Sequence, residues 1–118
     1  MNAPHGLTQL RDVLRKFADE RDWDQYHSPK NLASALAVEA AELLERFQWL
    51  TEDQSRNLPP EELRKVRYEM ADVLNYLVRL ADKLDVNLLE AAREKIEINA
   101  QKYPVDKARG SAKKYSEL

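Results

Sequence analysis

The chain has 118 residues, 34% charged and 43% apolar, with a formal net charge of −2 and no cysteine. Such a length makes one domain with a small core. The charge gives no sign of a nucleic-acid partner, and the missing thiols exclude disulfides and thiolate metal sites. No stretch nears the ~20 apolar residues of a membrane span. Residues 1–10 lack a basic start followed by an apolar run. A cytoplasmic protein with no membrane partner is the expectation.

Only two glycines occur, Gly6 and Gly110, and the prolines stand at 4, 29, 59, 60 and 104. So little punctuation predicts long helices joined by short loops. A first helix is expected over about 7–22, with Leu7, Leu10, Val13, Leu14 and Phe17 at helical spacing. Residues 23–29 read as a loop, and Ser28 before Pro29 is a good helix start. The second helix is expected over about 29–51, with a polar connection at 52–58. The third runs over about 60–84, where Leu63, Val66, Met70, Val73, Leu77, Leu80 and Leu84 form a heptad-like seam that calls for a partner helix. Asp85 is the expected cap of a fourth helix over about 86–102. Residues 104–118 read as an irregular basic tail. The fold class is therefore all-α, a four-helix bundle in a single domain 1–118. The seam and the small core favour an oligomer.

Two carboxylate pairs share one spacing: Glu39 with Glu42, and Glu69 with Asp72. Residues three apart lie on nearly one helix face, so two packed helices would gather four acids. The plain alternative is a solvated acidic face. Against it, Glu39 interrupts the apolar stripe between Leu36 and Leu43, where an unpaired charge is costly. Glu69 is different, since Lys65 lies one turn before it and offers an ordinary pair. On spacing alone both readings stand. If the acids do bind a metal, all-oxygen ligands suit magnesium or manganese. A di-iron bundle needs Glu-x-x-His on two helices. His5 and His27 fall outside the expected helices, so that site and a zinc hydrolase are excluded.

The quartet with its 26-residue gap resembles the signature of the all-α nucleoside triphosphate pyrophosphohydrolases, the MazG-like superfamily. The runs ERDWDQYHSPKNL (20–32), FQWL (47–50), DVLNYLVRLAD (72–82) and NAQKYPVDKARGSAKKY (99–115) are similar to its dCTP pyrophosphatase branch. The similarity covers about residues 7–115. It implies hydrolysis of a deoxynucleoside triphosphate, dCTP or a modified dCTP first, to the monophosphate and pyrophosphate, in the service of nucleotide-pool sanitation. It implies Glu39, Glu42, Glu69 and Asp72 as the catalytic magnesium ligands. Trp23 and Trp49 would line the base and sugar pocket, since flat rings stack on bases. Tyr76 would pack near the sugar, and His27 matches the pattern as well. Lys30, Lys95, Lys102 and Lys114 are the candidate phosphate cations. Asn99 and Tyr103 complete the substrate set, and the tail would close over the phosphates. Glu45 is a candidate neighbour of the metal site, or simply a surface acid beside Arg46. Family members assemble as dimers or tetramers, so a homodimer or homotetramer is implied. In one place the chain departs from the animal relatives: Leu14 stands where they carry a histidine, which weakens the cytosine preference. Two rivals remain, the same chemistry on another nucleotide such as dUTP, and a non-catalytic helical dimer that binds magnesium or a partner.

Overall fold

The computed structural model describes residues 6–118. Every regular element among them is helical: α1 (Gly6–Glu20), α2 (Pro29–Glu45), α3 (Glu52–Arg56), α4 (Pro60–Lys83), α5 (Leu88–Lys102) and α6 (Val105–Ala108), with 3₁₀ turns at Asp24–Tyr26 and Tyr115–Glu117. The all-α expectation holds. No helix of the described residues is long and apolar enough to cross a membrane.

The chain divides into two compact units, one ending at Asp85 and the other spanning Val86–Leu118. In the first, α4 is the spine, and both α1 and α2 pack against it. These two helices are the partners that the seam required. Ala18, Leu32, Val66, Val78 and Ala81 form the buried apolar core. A core of two alanines, two valines and one leucine among the described residues leaves much apolar surface uncovered, as a chain of this length implies.

Helix starts follow local chemistry. Ser28 caps α2: its hydroxyl accepts from the Asn31 N–H at 3.2 Å, and Pro29 takes the first helical position. α2 stops at Glu45, six residues before the expected end. The Phe47 and Gln48 N–H groups both return to the Leu44 carbonyl, and Thr51 is extended (φ −74°, ψ 166°). Thr51 and Gln54 form a reciprocal capping box that opens α3 inside the expected polar connection.

In the second unit the cap of α5 is Asn87, which accepts from the Glu90 N–H at 3.0 Å. Asp85, the expected cap, instead takes a left-handed turn (φ 52°) that closes α4. The tail is ordered rather than irregular. After α6 it returns, so that the Tyr115 ring meets Tyr103 edge-on at 6.1 Å.

Candidate functional site

Packing of α2 on α4 brings acids from distant parts of the sequence together. One carboxylate oxygen from each of Glu39, Glu69 and Asp72 lies within 4.8 Å of the others. Glu39 comes from α2. Glu69 and Asp72, three apart, share a face of α4. Glu39 and Glu69 are half-buried and Asp72 is exposed. Glu42 is exposed one turn along α2, outside this group of three, and its carboxylate helps to raise the Glu39 pKa.

Two oxygens at this site are enclosed without a partner: Glu39 Oε2 and Glu69 Oε2 accept no hydrogen bond among the described residues. Buried polar atoms are normally satisfied, so such a pair needs an explanation. Burial pushes the Glu39 carboxyl up to about 7, helped by the neighbouring Glu42 carboxyl and by the charges of Asp72 and Glu69. Among the described residues, Arg46 pairs with the cluster: its Nη2 reaches Glu69 Oε1 at 3.4 Å, a long contact. Lys65, the sequence candidate for that role, pairs with Glu62 instead. Arg46 thus turns to Glu69 and not to Glu45, which stays exposed. A hard divalent cation fits this donor set. It would occupy the space between three carboxylates and satisfy the two orphaned oxygens.

At the other end of α4 an aromatic and ionic cluster is built on the 23–27 turn. Trp23 stands edge-on to Phe17 at 5.8 Å and to the His27 ring at 6.5 Å. Arg79, only 4% exposed, donates to His27 Nδ1 (3.2 Å), to Asp24 Oδ1 (2.8 Å) and to Asp82 Oδ2 (3.1 Å). Lys83 also binds Asp24, and Arg15 of α1 donates to Asp82 at 3.1 Å. Hydrogen bonds from Lys83 and Arg79 hold the Asp24 carboxyl below its usual range, and the Arg15 hydrogen bond does the same for Asp82.

The other predicted residues are placed as follows. Tyr76 is half-buried on α4, one turn beyond Asp72. Trp49 lies in the turn after α2 and is 86% exposed. Lys30 is exposed in the first turn of α2. In the second unit Lys95 and Asn99 lie exposed along α5. Lys102 sets its ammonium 5.0 Å over the Tyr115 ring, and Tyr103 meets the same ring from the side. Lys114 is exposed just before that ring.

Sequence reasoning passed over Arg46 and Arg79. The Arg46 contact spans 23 residues and leaves no local trace. Arg79 did leave one: it sits within the apolar run LVRLA, where a charge needs partners just as Glu39 does.

An all-helical chain with an acid cluster between paired helices narrows the class, and comparison gives the family. Residues 35–118 match the MazG-like family pattern, and the chain belongs to that family. Among its relatives, dCTP pyrophosphatase 1 of Mus musculus is 46% identical over 114 residues, and that of Homo sapiens 43%. Each alignment spans 95% of this chain and 67% of the relative. The crystal structure of a pyrophosphatase from Archaeoglobus fulgidus superposes with a TM-score of 0.79 at 43% identity, covering 88% of this chain and 97% of that one.

Proposed function

We propose that this chain hydrolyses deoxynucleoside triphosphates, dCTP or a modified dCTP first, to the monophosphate and pyrophosphate, and so cleanses the nucleotide pool. The chain is a nucleoside triphosphate pyrophosphohydrolase, in keeping with its close similarity to dCTP pyrophosphatases. The observation that carries the reading is the convergence of Glu39, Glu69 and Asp72 around two unpartnered buried oxygens.

Glu39, Glu42, Glu69 and Asp72 hold the metal in this reading, and magnesium is the metal proposed, with manganese as a substitute. When bound, the ion would shield the charge of the triphosphate and polarise the phosphorus under attack. A cation held there would favour the ionised form of Glu39, because a neighbouring positive charge stabilises the carboxylate. The chain has no cysteine, and the acid cluster holds no serine–histidine pair, so water is the attacking group. Trp23 and Trp49 offer flat faces to the base, and Tyr76 packs against the sugar, leaving little room for a 2′-hydroxyl. His27 meets the base edge. By the resemblance, Lys30, Lys95, Lys102 and Lys114 are the proposed phosphate cations, with Asn99 and Tyr103 as proposed polar contacts.

We read residues 1–118 as one functional domain, working in the cytoplasm as a homodimer or homotetramer. Support for assembly comes from α4, where Leu63, Met70 and Leu84, spaced by whole heptads, are all about half exposed. The test of activity is pyrophosphate release from each common ribo- and deoxynucleoside triphosphate with magnesium. Fastest turnover of dCTP is expected. Equal rates on all, or none on any, would overturn the assignment.

A further inference from the structure

The geometry points to Arg79 as a positioning residue: from α4 it holds the His27 ring with its lone pair at Nδ1 and its proton at Nε2, so that His27 offers one fixed donor to an acceptor atom on the base. This rests on the reading of His27 as a base-pocket residue, and it deepens that reading by naming what selects the base.

A guanidinium has five N–H donors, no acceptor, and stays charged in proteins. Arg79 Nε faces His27 Nδ1 at 3.2 Å, so Nδ1 must be the acceptor. A neutral imidazole carries one proton, which is then on Nε2. A second proton, on Nδ1, would set N–H against N–H. Burial and the charges of Arg79 and Lys83 oppose that proton as well, while Asp24 opposes them more weakly. Trp23 closes another side of the ring. His27 Nε2 meets no partner among the described residues, so its N–H is free to bind a ligand.

The guanidinium itself is fixed on three sides. Asp82 takes Nη1 and is gripped in turn by Arg15, whereas Asp24 takes Nη2 and is gripped by Lys83. The two carboxylates also supply the counter-charge that a buried arginine requires. A donor held this way discriminates by polarity. Cytosine presents a bare N3 acceptor, whereas uracil presents N3–H at the same point, and a donor facing a donor is rejected strongly.

Two measurements test the assignment. The first is the imidazole ¹⁵N spectrum of the ligand-free protein at neutral pH. His27 is expected as the neutral Nε2–H tautomer, and an Nδ1–H tautomer or an imidazolium would overturn the proposal. The second uses Arg79→Lys, which keeps a cation near Asp24 and Asp82 but loses the Nε donor. It should mix the His27 tautomers and raise KM for dCTP about tenfold, the scale of one lost hydrogen bond, with kcat held. In a His27→Gln background, where the side chain has no tautomer to fix, Arg79→Lys should leave KM unchanged. An equal rise in both backgrounds, or none in either, would sink the positioning role. If the unaltered protein cleaved no triphosphate, the reading of the site would fail, and the tautomer spectrum would still decide the Arg79–His27 bond.

Discussion

Glu39 carries two opposed demands. Its Oε2 is enclosed and unpartnered, and its carboxyl is pushed up to about 7 from an ordinary 4.5. In the metal-free protein this weakens the fold as pH rises. Below 4.5 folded and unfolded chains both hold the proton, and the site costs nothing. Above it the unfolded chain ionises first, so stability falls until the folded group ionises near 7. Urea unfolding at about pH 5 and about pH 8 should therefore show a lower midpoint at the higher pH. Magnesium should remove most of the difference, and Glu39→Gln should flatten it without metal. The same substitution should cut kcat by about a hundredfold or more, the scale on which changes at a metal site act, with the circular dichroism spectrum retained. Substantial residual turnover would count against Glu39 as a ligand. Much of this was readable in the sequence, because a charge inside an apolar stripe announces a need for partners. Which acids meet was not: Glu42 shares the spacing of Glu39 yet lies outside the group of three, since only packing decides how far each side chain leans.

Among elements, the positions of α1, α2, α4 and α5 were legible because proline and apolar periodicity mark them strongly. Their ends were not, because each end depends on which of several polar residues bonds to the backbone. A threonine and a glutamine three apart opened α3 inside what reads in the sequence as a polar connection. The start of α5 offers a direct test of this competition. Asn87 makes the capping bond, so Asn87→Ala should destabilise the protein by about 1 kcal/mol. Asp85 sits at φ 52°, a conformation that disfavours side chains. Asp85→Gly should therefore be neutral or raise the melting temperature. Loss of stability in Asp85→Gly comparable to that in Asn87→Ala would return the capping role to Asp85.

For the whole molecule, the question is what covers the apolar surface left by a small core. In α4 the seam is shared: Val66 is buried and Val73, Leu77 and Leu80 are half-buried, with α1 and α2 packed alongside, while Leu63, Met70 and Leu84 remain open. On α2, Val38 and Leu44 are 57% and 61% exposed. A second copy of the chain is the proposed cover. Association then stabilises the folded state by mass action, so the melting temperature should rise with protein concentration. Replacing Leu63 or Leu44 by lysine would put a charge into that contact while leaving the buried core and the acid cluster alone. Sedimentation velocity should show the unaltered protein as an oligomer and Leu63→Lys, together with Leu44→Lys, shifted towards monomer. The melting temperature of the double variant should be lower and independent of concentration. A monomer before and after substitution would mean that these faces are open to water, and would separate the activity of the site from any assembly.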